Sequence, residues 1–155
     1  MIEFQNLRAA LELFAEEFIN TYQDELLDAD ANATGDLFNT ITSNIVINDS
    51  EFVVSLNIQE YWKYIEYGRK PGKWPPVSAI RKWIEVKPVI PRAYNGKVPT
   101  LDQLAFMIGR KIYRDGIAPR PLLQNTKDKV IPKYEEIIKD ALEEDITMHI
   151  YKYIN

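Results

Sequence analysis

The chain has no cysteine and one histidine, His149, among 155 residues. Without thiols there is no disulfide framework, no thiolate metal site and no cysteine nucleophile, as expected of a protein made in a reducing compartment. One imidazole with no nucleophile context beside it supplies no catalytic triad, and it falls short of the three or four ligands zinc needs. No apolar run approaches the roughly 20 residues that span a bilayer. Met1-Ile2-Glu3-Phe4 lacks the basic start and apolar core of a secretion signal. Glycine-rich phosphate loops are missing too. The sequence therefore predicts no membrane partner, no metal, no cofactor and no enzyme.

Basic residues are scarce where the chain begins. Residues 1–60 hold one, Arg8, against twelve acids, a net of −11. Residues 61–133 reverse this with sixteen basic against five acidic residues, a net of +11. Residues 134–155 have two lysines and six acids, a net of −4. Acidic arms flanking a basic middle suit either a polyanion facing the middle or copies docking basic face to acidic face. The plainer alternative is acidic solvent faces on helices and lysines in loops. At 46% hydrophobic the chain is too apolar to be wholly disordered.

Hydrophobic spacing predicts an α+β fold in a single domain, 1–155. Phe4, Leu7, Leu11, Phe14, Phe18, Tyr22 and Leu26 recur at steps of three and four, giving an N-terminal amphipathic helix within 1–30. Ile41, Ile45 and Ile47 share one parity, and Phe52, Val54, Leu56 and Ile58 share another, around Asn48-Asp49-Ser50. This is a β-hairpin over about 40–58. The span 40–121 is the basic core with the hairpin and an insert, in which Tyr61–Tyr67 forms a short helix ended by Gly68. Two central helices follow. The first has Val77, Ile80, Trp83 and Ile84 inward and is stopped by Pro88 and Pro91. The second is capped by Thr100, striped by Leu101, Leu104, Ala105, Ile108 and Ile112, and ended by Gly116. A long C-terminal helix, 122–155, has Tyr134, Ile137, Ile138, Ala141, Leu142, Ile146 and Ile150 as its stripe. Pro132 either kinks it or marks its true first turn.

The carboxylates Glu135, Glu136, Asp140, Glu143, Glu144 and Asp145 invite a metal or hydrolase reading, but their spacing spreads them over a solvated helix face. Trp62, Tyr64, Tyr67, Trp74, Trp83, Tyr94 and Tyr113 interleave with cations as in single-strand binders. For the tryptophans a core role is the stronger expectation. Arg69, Lys70, Lys73, Arg110, Lys111, Arg114 and Arg120 remain for phosphates or acidic neighbours.

Order and motifs point further. An amphipathic helix and a hairpin precede an aromatic segment ending in Glu66-Tyr67-Gly68. Downstream, Pro119-Arg120-Pro121-Leu122-Leu123 introduces the last helix. The chain resembles the neck and tail-completion proteins of tailed bacteriophages, in the head–tail connector and minor tail family. Its Trp74-Pro75-Pro76 insert is similar to versions in phages of gut Bacteroidales. Leu122 stands where that family usually has Phe, and the insert is long. The resemblance implies a structural virion protein in a homo-oligomeric ring, a dodecamer among the sizes implied, touching portal and other neck or tail proteins and lining a DNA channel. Glu66, Tyr67, Gly68, Pro119, Pro121 and Leu122 would be its family-like positions. Arg69, Lys70, Lys73, Arg110, Lys111 and Arg120 would meet neighbours or DNA, with Glu12, Glu16 and Glu17 as acidic partners. The rival reading is a nucleic-acid-binding protein using the basic middle.

Overall fold

In the computed structural model, residues 2–31, 39–48, 50–60, 62–86, 89–93 and 95–154 are described. The order is α1 (Gln5–Asp28), β1 (Thr42–Ile47), β2 (Phe52–Asn57), α2 (Trp62–Tyr67), α3 (Val77–Val86), α4 (Leu101–Asp115) and α5 (Leu122–Ile154). The fold is α+β: a two-stranded antiparallel sheet with an N-terminal helix and a long C-terminal one.

Antiparallel α1 and α5 form the spine. Leu7, Leu11, Phe18, Tyr22 and Leu26 of α1 are buried at the spacing the periodicity predicts. Their partners on α5 are Leu122, Thr126, Val130 and Tyr134, spaced by four residues. Phe14 meets Tyr134 edge to face at 5.7 Å, and Phe18 packs with Val130. The predicted α5 stripe holds in part: Tyr134 and Ile138 pack on the Phe18 cluster, and Ala141 and Leu142 are half-buried. Ile137, Ile146 and Ile150 are exposed, and Asp145, expected in solvent, is buried. The helix also continues through Pro132, so that proline is not its first turn.

Both spine helices are capped from far away in sequence. At the start of α1, Phe4 supplies no side-chain cap. Instead the Asn6 and Leu7 N–H groups donate to the Asp145 carboxylate, at 3.1 and 2.8 Å. With this cap α1 begins at Gln5, and Phe4 turns aside to pack on Phe52, 5.2 Å between rings. At the start of α5, Leu123 and Gln124 N–H donate to Glu66, at 2.8 and 3.1 Å. Each carboxylate satisfies two of the orphan donors that every helix start leaves.

The hairpin lies along α1 with Ile45 opposite Val54 and Ile47 opposite Phe52. Leu56 reaches the Phe18 cluster, and Ile41 joins Tyr22 and Leu26. Asn48 organises the turn, its side-chain oxygen accepting from Ser50 N–H, Ser50 O–H and Glu51 N–H. Asp49, which the sequence also assigns to the turn, lies outside the described residues.

Helices α3 and α4 form a satellite lobe around Ile80, Ile84 and Ala105. An ion pair of 2.9 Å, Arg81–Asp102, ties them together. Thr100 caps α4 as predicted, with Gln103 reciprocating, and Gly116 ends it. The chain leaves the body at Arg69 and returns at Ile117, where the two residues exchange backbone hydrogen bonds of 2.9 and 2.8 Å.

Across the spine, Glu25 accepts from Lys129 and Asn125, and Lys133 donates to Glu17 at 2.7 Å. Glu17 is thus spent within the chain rather than free for a neighbour. Above all, the Lys129 ammonium holds the Glu25 carboxyl below its ordinary 4.5, against an opposing push from burial. A depressed carboxylate pKa contributes stability above its unfolded value and loses it as pH falls through the folded one. The same contact raises Lys129 above 10.5, so the contribution persists into strong alkali. Denaturation midpoints measured in acid, below pH 4.5, should fall more steeply for the native chain than for Glu25→Gln. Parallel curves would show that this pair adds nothing.

Candidate functional site

The two family-like segments meet in space. Glu66 closes the first turn of α5, and Arg120 N–H donates to the Ile65 carbonyl at 2.7 Å. Gly68, at φ +68°, lies so close to the 117–119 backbone that an added Cβ would overlap the Ile117 carbonyl oxygen and sit 2.8 Å from the Pro119 nitrogen. Pro121 leads into α5, its carbonyl accepting from Asn125, while Leu122 is buried against Tyr22 and Leu26. Tyr67 is exposed, its ring 5.9 Å from that of Trp62. Together these residues fix the start of α5 against the body.

The cations divide. Arg120, expected at a docking surface, donates to the Ala29 carbonyl at 2.8 Å and finishes α1, so its head is committed to the fold. Arg69 donates to the Trp74 carbonyl at 3.3 Å, stacks its guanidinium 5.8 Å from the Tyr64 ring, and has a buried Nε with no acceptor among the described residues. Arg114 pairs with Asp115, at 2.6 Å. Lys70, Lys73, Arg110 and Lys111 are exposed. Gly72 N–H donates to the Tyr113 carbonyl at 2.8 Å, joining the 70–73 loop to the last turns of α4 that carry Arg110 and Lys111.

The tryptophans do three different things. Trp62 packs in the Tyr22–Leu26 core. Trp74 lies across α4 between Phe106 and Tyr113, at 5.4 and 5.5 Å. Gly109 gives it a seat there, with the ring 3.5 Å from where a Cβ would stand. Sequence reading passed over Gly109, although its place between Phe106 and Tyr113 on one helix face was a usable signal. Trp83 departs from the predicted inner face and is 37% exposed. Among the described residues, Ile80 and Ile84 of α3 are the ones buried with Ala105, because a lobe of two short helices buries one narrow seam.

Between lobe and body opens a mainly apolar cleft of about 870 Å³. Tyr64, Trp74, Pro76, Trp83, Ile112 and Ile117 shape it, and Arg69, Lys82 and Arg120 bring positive charge to it. It stands half open to solvent, and its volume falls within the range of small-molecule sites. The carboxylates do not converge on a site. Glu135, Glu136, Asp140, Glu143 and Glu144 are exposed along α5, and Asp145 is the α1 cap. Among the described residues no group of three His, Cys, Asp or Glu is placed to hold a metal ion. His149 is half-buried, its ring 4.6 Å from that of Tyr153. Among the described residues no helix is long and apolar enough to cross a membrane.

Compared with protein-family models, curated proteins and solved structures, the chain finds no match in any of the three.

Proposed function

We propose that this chain is a structural virion protein, a subunit of the neck or tail-completion ring between portal and tail of a tailed phage. It works by protein–protein assembly, without catalysis or cofactor. The observation that carries this reading is the interlock of Glu66-Tyr67-Gly68 with Pro119-Arg120-Pro121-Leu122. These segments bear the resemblance, and they meet to fix the start of the long terminal helix. A start fixed in this way also fixes where residues 146–154, beyond the α1 contact at Asp145, are presented, and a repeating subunit needs such constancy to reach its neighbour at a constant rotation. Charge supports the same reading, since exposed Glu12 and Glu16 on α1 and exposed Lys70, Lys73, Arg110 and Lys111 are unlike groups that can steer copies into register.

The test reverses the exposed cations and spares Arg69 and Arg120, which the fold uses. Lys70→Glu, Lys73→Glu and Lys111→Glu together should leave the monomer folded, because exposed charges add little to stability. Incorporation into particles should be lost, since like charges facing each other across an interface can cost several kcal/mol. Assembled particles that fail to retain or pass DNA would place these cations on the channel instead. Normal particles with normal infectivity would refute both.

One observation favours the rival, a nucleic-acid-binding protein: Trp83 is exposed next to Lys82 on the basic segment. A monomer whose DNA affinity falls steeply with salt and weakens in Trp83→Ala would select it.

A further inference from the structure

We infer that the cleft beneath the α3–α4 lobe receives the last turns of α5 from a second copy of this chain, so that copies join head to tail. The inference rests on the ring-subunit reading and names the surfaces that would build the ring.

Helix α5 outlasts its partner. Asp145 meets the first N–H groups of α1, and 146–154 continue beyond that point for about 13 Å at 1.5 Å per residue. In this overhang Met148, Ile150, Tyr151, Tyr153 and Ile154 are 49–74% exposed. Its one formal charge is Lys152. A helix that shows water so much apolar surface, with so few charges, lacks the polar face of a solvated helix.

The cleft has the complementary character, and it lies at the wrong end to be filled from within. It borders Ala29, Asp30 and Ala31, just past the end of α1, whereas the overhang starts beside Asn6. The 24 residues of α1 separate the two by about 36 Å. A chain's own overhang therefore cannot reach its own cleft, while the next chain's can. Charge is complementary beside the seat rather than within it, since Lys152 is the overhang's own charge. The turns of α5 just before the overhang carry exposed Asp140, Glu143 and Glu144, and the cleft is bordered by Arg69, Lys82 and Arg120 against Asp30. Contact between unlike patches is heterologous, and it closes into a ring when the rotation fits. Nine residues of helix bury less than the ~1,200 Å² of a small stable interface. A single contact should be weak, with ring closure or a neighbouring protein supplying the avidity.

The absence of native cysteine makes the test clean. An Ala79→Cys chain, altered at the cleft wall, is mixed with an Ile150→Cys chain and oxidised at high protein concentration. Disulfide-linked dimer should form at least tenfold more in the mixture than in either chain alone, or than with a Leu13→Cys control. Ile150→Asp with Tyr151→Asp, both exposed and checked for folding by circular dichroism, should weaken self-association seen by light scattering at least tenfold. Oligomers that form without this cross-link, or that survive the Asp variant, would overturn the docking and leave the ring reading standing. A chain monomeric up to millimolar concentration would overturn docking and homo-oligomeric ring alike. Saturable laurate binding by the monomer, lost in Trp83→Ala and without cross-linked dimer, would assign the cleft to a small apolar anion and overturn the docking.

Discussion

Replacing Gly68 with valine should lower folding stability by about 3 kcal/mol or more, from backbone strain and steric overlap together. At φ +68° a β-branched residue is strained wherever it stands. Here the added Cβ also meets backbone on the other side of the node, the Ile117 carbonyl and the Pro119 nitrogen, and backbone cannot rotate aside as a side chain can. Relief requires parting Arg69 from Ile117, and so loosening the attachment of the lobe and the start of α5 together. Gly72 provides the control. Its φ is +93°, yet a Cβ there meets nothing within 4 Å. Gly72→Ala should therefore cost about 1 kcal/mol, from strain alone. Guanidinium denaturation of Gly68→Ala and Gly72→Ala, side by side, separates overlap from strain. Equal losses would mean that the close approach at Gly68 is not a constraint.

The second large effect is expected at the carboxylates that start the spine helices. Asp145→Ala leaves the Asn6 and Leu7 N–H groups without an acceptor at a buried helix start, and should cost about 1–3 kcal/mol. Glu66→Ala does the same to Leu123 and Gln124 and should cost a similar ~1–3 kcal/mol. The two caps sit at opposite ends of the spine, so a double variant should lose the sum of the single losses. Asp145→Asn, which keeps an acceptor oxygen, should recover part of the loss. Denaturant midpoints check all four. An Asp145→Ala chain as stable as the native one would show that water replaces the carboxylate at no cost.

How far the sequence revealed the fold depended on the range of the cause. The α1 stripe, the hairpin parity, the Thr100–Gln103 cap and the Gly116 stop are local, and each was legible in a few consecutive residues. The caps at Asp145 and Glu66 are not local. Each carboxylate serves a helix start that its own segment gives no hint of, so Asp145 reads as one more acid in a solvated run. The α5 face was legible at Tyr134 and Ile138 and missed at its other end for a related reason. Ile137, Ile146 and Ile150 outnumber the polar residues at the true seam, but α1 chooses the seam, and it selects Thr126 and Asp145. Trp83 misled because periodicity marks which residues share a helix face, not how wide a surface lies opposite to cover it. The cleft was invisible from sequence, since its walls come from the end of α1, from α2 and from the lobe.

The stitch between Arg69 and Ile117 makes the lobe a cassette. Across an antiparallel bridge the two Cα atoms stand about 5 Å apart, a gap that a tight turn can close. The whole excursion from Lys70 to Gly116 thus enters and leaves the body through one doorway, with its own small core inside. Chain length there can grow, shrink or be exchanged without disturbing the spine, because a long loop costs little more closure entropy than a short one. A lineage that kept the doorway glycines, Gly68 and Gly116, could vary everything between them, and with it the shape of the cleft.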